Sequence, residues 1–371
     1  MSSLYYPDAF YYKTTFSDKK ISTKVDYKEH TDVSTESLKG NILQAFLLYD
    51  TVYMHAWDLP TVIHFFDNRA NAELLAEAGL LRLLNCNDYF VACHKNGVLS
   101  FLADGEYTFR SKANSEDELN NMLQHFTGNY NDYKTISKSL FNNRLDANND
   151  EMVFRIEKEI KKDILNPIFR DKYKLSTKKT TQIYPQDMPV INRFLETYRR
   201  IYTAGAAKIN DIYSDDVLTD SLKEKAACST GKTDIFEGFE KLTKVVRVPN
   251  VVEAIKSNLI TTKDILEFRE KRNCIEFRKW LHSNACFELS DKENLSIVAA
   301  YIDSLGKKEL IERLPMKALR FIATNAIGLI PGLNIAANLG VSFFDTFVID
   351  KFTKWKPQLF IDDYKKLTIT Q

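Results

Sequence analysis

The sequence predicts a mainly α-helical fold, with a small N-terminal α+β domain followed by a larger all-α domain. Three observations lead to that expectation. The pair Asn96-Gly97, flanked by apolar runs, marks a β-hairpin near residues 89–102. Beyond residue 115, helix-start signals and a 3.6-residue apolar period replace strand alternation. A length of 371 residues exceeds what one core usually fills, so two domains are expected, 1–112 and 113–371.

Taken in order, residues 1–34 carry Tyr, Ser and Thr without a period and read as an extended lead-in. The first helix falls on 35–48, where Leu38, Ile42, Ala45, Phe46 and Leu48 approximate one apolar face. A β-like run at 51–55 follows. Asp58 and Pro60 supply an N-cap and a first-turn proline for a helix reaching residue 66, and 71–84 reads as another helix. Ser115 with Glu118, and Ser290 with Glu293, fit the capping box, in which hydroxyl and carboxylate each accept from an otherwise unpaired backbone N–H. Met152, Ile156, Ile160 and Ile164 repeat every four residues, the stripe of one long amphipathic helix. The polar stretch 175–187, closed by Pro185 and Pro189, is the best internal linker, and helices fill 190–212, 214–227, 234–247, 250–259, 262–282, 291–305 and 307–314. Glu267-Phe268-Arg269 recurs as Glu276-Phe277-Arg278, which on one continuous helix would turn the two phenylalanines to opposite sides, as in a helix between two packed layers.

Composition narrows the function classes. Apolar residues at 44% and charged residues at 27% are ordinary for a globular chain and argue against disorder. The formal net charge of +1 encodes no global attraction to nucleic acid or anionic lipid, so nucleic acid is not indicated as a partner and any such contact must come from a local patch. Cys86, Cys93, Cys228, Cys274 and Cys286 are widely spread with no C-x-x-C pair, the usage of reduced, buried thiols rather than of a disulfide framework or zinc site. The first sixteen residues lack the basic-then-apolar order of a signal peptide, so a cytoplasmic location is expected.

Two motif matches fail on chemistry. Residues 226–233 approach the phosphate loop G-x-x-x-x-G-K-[ST] through Gly231-Lys232-Thr233, but Ala226 replaces the first glycine, and Ser-Leu-Lys-Glu-Lys precedes it where an apolar strand is needed. Asp146, Asn148, Asp150 and Glu157 stand at ligand places of a calcium loop, yet Glu151 occupies the position that needs glycine. The expectation is that Asn148 to Asp150 cap the following helix. His55, His64 and His94 share the N-terminal part without metal-ligand spacing and read as hydrogen-bonded structural histidines. No catalytic residue, cofactor site or metal site is expected from motifs.

The anomaly lies near the C-terminus. Between Phe321 and Ile349 only Asp345 is charged. Pro331-Gly332 divides the stretch, so an apolar helical hairpin over 316–352 is expected. Gly328 and Gly332 would let the two backbones approach. Asn334, Asn338, Ser342 and Asp345 recur at helical spacing as one polar stripe, and Trp355 follows among lysines, a pairing that suits a membrane interface. Three readings compete: a buried core hairpin, a sequestered hairpin released to a membrane or to self-association, and a constitutive span. The last is opposed by Asp345, which at mid-membrane costs about 2.5–3.5 kcal/mol.

The tail from Arg320-Phe321 through Pro331-Gly332, Ser342, Asp345, Phe347 and Asp350-Lys351 to Trp355-Lys356-Pro357 resembles one seen in uncharacterised bacterial proteins, some encoded near phage-defence genes. Ile265-Leu266-Glu267-Phe268-Arg269, followed by Phe277-Arg278-Lys279-Trp280-Leu281, is similar to a stretch of such proteins. The resemblance implies a component of bacterial anti-phage defence and brings no catalytic residue. The expectation is therefore a non-enzymatic interaction or effector protein. Its partner would be another protein or a second copy, with 316–356 as the element that could place it at the inner membrane. The alternative is an enzyme of hydrolase or nuclease type whose site is assembled from distant residues.

Overall fold

The computed structural model describes residues 2–7, 12–17, 20–25, 35–59, 62–63, 69–89, 91–100, 111–127, 133–209, 211–213, 248–284 and 355–369, with isolated positions between 218 and 246. Helix predominates. Its organising element, however, is a five-stranded sheet in which every pairing is parallel.

Strand β1 (Ser3–Tyr5) lies beside β4 (Thr51–Met54), then β5 (Leu81–Asn85) and β8 (Leu145–Asp146), while β9 (Asp211–Ile212) pairs with the other edge of β1. Between β1 and β4 come the antiparallel pair β2 (Tyr12–Ser17) and β3 (Lys20–Val25), then α1 (Thr35–Leu48). Helix α2 (Arg69–Glu77) connects β4 to β5. The hairpin β6 (Val91–His94) and β7 (Gly97–Ser100), with α3 (Glu116–Thr127) and α4 (Lys134–Asn142), connects β5 to β8. Helices α5 (Met152–Leu165), α6 (Pro167–Tyr173) and α7 (Met188–Ala207) then carry the chain across to β9. The strand order reverses at β1.

Alternation along the strands assigns the two faces. Leu4, Val52, Met54, Leu81 and Leu83 join one cluster with α1, α2 and α4, while Tyr5, Tyr53 and Leu84 turn the other way against Ala204 and Ala207 of α7. Parallel strands covered on both faces read as apolar runs rather than as alternation. The 71–84 expectation fails for this reason: the helix stops at Glu77, Gly79 takes φ +68°, and Leu81–Asn85 is a central strand. The expected division at 112 is cut across as well. Strands β8 and β9 complete the sheet from residues expected to be all-α.

The helices beyond residue 248 pack on α1. Asn250 with Glu253, and Thr261 with Asp264, form capping boxes that open α8 (Val251–Lys256) and α9 (Thr262–Arg269). A Cβ on Gly40 would sit 2.7 Å from the Val252 Cα, so α1 and α8 meet backbone to backbone. The expected single helix over 262–282 is two, because the chain breaks at Glu270-Lys271 before α10 (Arg272–Asn284). The break turns Phe268 and Phe277 into one cluster instead of opposite faces, correcting the two-layer expectation. Both meet α11 (Pro357–Ile369): Phe277 stacks on Phe360 at 3.8 Å, and Phe268 lies 5.8 Å from Tyr364.

The last turn of α1 leaves carbonyls that need donors. Arg269 donates to the Phe46 carbonyl, and His282 Nε2 donates to Leu48 O at 2.8 Å. Arg278 reaches Asp50 at 3.3 Å and the Arg269 carbonyl at 3.0 Å. The first Glu-Phe-Arg therefore caps α1 through Arg269, the second braces that arginine's carbonyl and Asp50 through Arg278, and both phenylalanines fill the core.

Candidate functional site

In an open parallel sheet, the carboxyl ends of the strands share one edge, and the point where strand order reverses is the usual place for a ligand. Here that edge carries polar residues from four strands. The Tyr5 hydroxyl lies 2.9 Å from His55 Nε2, and His55 Nδ1 lies 3.2 Å from the Leu84 carbonyl. A carbonyl only accepts, so Nδ1 carries a proton and, in the neutral ring, Nε2 accepts from Tyr5. Trp57 stacks on the imidazole at 4.3 Å. Next along the edge, Asn85 donates to Asp146 at 2.7 Å and to the Ala113 carbonyl at 3.0 Å, and it accepts from the Ala113 N–H at 2.9 Å. At the reversal point Tyr6 stacks on Tyr213 at 4.1 Å.

A second polar layer follows the strand ends. Arg199 of α7 donates to Asp88 at 2.6 Å and grips Glu196 through two nitrogens at 2.7 and 2.8 Å, while Arg200 adds a bond at 2.9 Å. Burial pushes the Glu196 carboxyl up, but Arg199 and Arg200 outweigh it and hold the group well below the usual carboxylate range. Tyr89 donates to Asp150 at 3.0 Å, and Asn149 to the Asn87 carbonyl at 2.6 Å.

Cys86 lies 3.9 Å from His55 Nδ1, a pairing that suggests a thiolate nucleophile. The chemistry runs the other way. Burial, with the nearby Asp88 charge, pushes the Cys86 thiol far up, so it stays protonated. Cys93 is raised to about 11 and Cys274 to about 12, in both cases chiefly by burial. The three described cysteines, Cys86, Cys93 and Cys274, are buried and outside any disulfide.

The sequence candidates separate. His55 is buried in the sheet edge, His94 is exposed on the hairpin, and His64 lies outside the described residues. The calcium-loop residues diverge: Asp146 is bound by Asn85 and Arg144, Asp150 by Tyr89, and Glu157 by Lys161 at 2.5 Å. Among the described residues no three of His, Cys, Asp and Glu converge on a metal position. Residues 226–233 lie outside the described residues, as do Gly328, Pro331, Gly332, Asn334, Asn338, Ser342 and Asp345. Trp355 is described, half-buried against the main core, and its Nε1 donates to Asn273 at 3.3 Å. Among the described residues no helix is long and apolar enough to cross a membrane.

What sequence reasoning missed is the alignment of Tyr5, His55, Asn85 and Asp146, because only the parallel topology brings positions so far apart to one edge. The class defined is an open parallel α/β sheet wrapped in a predominantly helical chain. No known protein family, curated protein or solved structure matches the chain.

Proposed function

We propose that the chain is a non-enzymatic interaction or effector protein of bacterial anti-phage defence, acting through its apolar 316–352 segment on a protein partner or a second copy. One observation supports this reading above the others. The flanks of 285–354 are fastened to a single helix pair, α10 and α11, by the Phe277–Phe360 stack, the 2.7 Å Asn273–Asp363 bond and the Trp355–Asn273 bond. Both anchors of the segment therefore belong to the folded core, which makes it possible to alter the segment without touching them.

The anchors also determine the test. Truncation before residue 317 would remove α11, whose Phe360, Ile361 and Tyr364 are fully buried, so 316–352 is instead replaced by a Gly/Ser linker. The linker chain is expected to keep its circular dichroism and a cooperative melt near that of wild type, because the Phe277–Phe360 stack and the Asn273–Asp363 bond remain. It should lose self-association in sedimentation and protection of cells in a plaque assay. Failure of the linker chain to fold would make the segment core and end the proposal.

A second reading, an enzyme of hydrolase or nuclease type, is favoured by the polar line at the sheet's carboxyl edge. Tyr5→Phe removes only the hydroxyl that His55 accepts from. On the effector reading it leaves plaque protection unchanged; on the enzymatic reading protection falls with the fold intact.

A further inference from the structure

Helix α5 is amphipathic twice. Its buried stripe is Met152, Ile156, Ile160 and Ile164. A second stripe, on the opposite face, runs Phe154, Lys158, Lys161, Leu165, at spacings of four, three and four residues that keep it on one side of the helix. Phe154 is 68% exposed and Leu165 57%, and past the Asn166-Pro167 corner Ile168 of α6 is 77% exposed. These three are half of the six large hydrophobic residues that stand exposed among the described residues, and all lie on α5 and the helix that follows it. Solvent-facing positions of a helix ordinarily carry polar residues, so the stripe marks a surface meant to be covered.

Charge indicates what covers it. Residues 155–179 hold nine Lys and Arg against four Asp and Glu, an excess of five positive charges in a chain whose net charge is only +1. Lys158 and Lys162 are exposed on α5, and Lys172, Lys174, Lys178 and Lys179 are exposed on α6 and the strand-free stretch after it. Aliphatic and aromatic side chains interleaved with lysine on one helix face are the chemistry of an anionic lipid surface. The lysines meet headgroup phosphates, while Phe, Leu and Ile enter the acyl boundary. A nucleic-acid backbone would use the cations but has no place for Leu165 and Ile168.

From this juxtaposition we infer that the α5–α6 edge is a docking surface for an anionic membrane. The inference is independent of the 316–352 proposal, because it uses none of those residues. The lysines supply attraction that weakens with salt, and the apolar corner supplies the part that does not.

Flotation of the full chain with vesicles tests it. Binding to phosphatidylglycerol–phosphatidylcholine vesicles should exceed binding to phosphatidylcholine alone at least tenfold. Leu165→Ser with Ile168→Ser, at exposed positions that should leave thermal unfolding unchanged, should lower the partition coefficient about tenfold. Lys158→Glu with Lys174→Glu should do the same and flatten the salt dependence. Leu74→Ser, at an exposed position on α2, should leave the partition unchanged. A wild type indifferent to anionic lipid would overturn the inference, as would partition that survives the Ser double variant. Two further results would reassign the edge: Ser variants that change the sedimentation coefficient without changing vesicle binding, pointing to a self-association face, and lysine-dependent oligonucleotide binding that Leu165 and Ile168 do not influence.

Discussion

At the scale of single residues, the structure invests its buried polar groups in joining distant segments. Asn85 alone ties three backbone or side-chain groups, and Glu196 gathers the guanidiniums of Arg199 and Arg200, the first of which also reaches Asp88. The Glu196 carboxyl has a lower pKa folded than unfolded, so its ionised contacts stabilise the protein fully above the unfolded value near 4.5 and are lost as pH falls through the lower folded value. Removing one guanidinium with Arg200→Gln should therefore lower the melting temperature by an amount that is constant around neutrality. The gap between variant and wild type should close only in the acid range, where the carboxylate protonates in both. Melting curves followed by circular dichroism from pH 7 downward read this directly. A gap that stayed the same through acid unfolding would show that Arg200 stabilises by packing rather than by charge.

At the scale of elements, α1 illustrates how a helix can be buried nearly all round. Ile42, Leu43, Ala45, Phe46, Leu47 and Leu48 are all inaccessible, because the sheet covers one side and α8 and α9 the other. Close approach to α8 depends on Gly40, where any Cβ would meet the Val252 backbone at 2.7 Å. Gly40→Ala gains helix propensity of about 1 kcal/mol. It must also push α8 away, and overpacking of this kind costs about 1–3 kcal/mol. Because the obstacle is backbone and not a flexible side-chain end, the second effect should win. Urea unfolding should show a lower midpoint with an unchanged slope, and a stabilised variant would mean that α8 shifts freely.

At the scale of the whole molecule, the sheet is not closed by the first 112 residues. Strands β8 and β9 arrive from positions 145–146 and 211–212, and the main core adds Phe268, Phe277 and Phe360 to residues of β1, β4 and α1. A fragment ending at residue 112 lacks both sheet edges and the helices that cover α1. Expressed alone, it should give a circular dichroism spectrum without a cooperative melt. A cooperative transition from that fragment would restore the division expected from patterning.

Local signals were readable without the fold. The 35–48 helix, the Asn96-Gly97 hairpin and the isoleucine stripe of α5 each follow from neighbouring residues, because turns, caps and helical faces are decided within a few positions. Strand β5 was misread as helix, since Leu81-Arg82-Leu83-Leu84 lacks alternation once both faces are covered, although Gly79 was the available signal that the helix ends. Strands of two residues, such as β8 and β9, carry no pattern at all. The line of Tyr5, His55, Asn85 and Asp146 exists only because parallel pairing sets their strand ends side by side. The capping of α1 by Arg269 and His282 likewise depends on a helix break more than two hundred residues away in the chain. Composition and periodicity determined helices such as 35–48 and the isoleucine stripe of α5. Tertiary structure decided which residues meet, because contacts between distant segments depend on the folded backbone and leave no local trace.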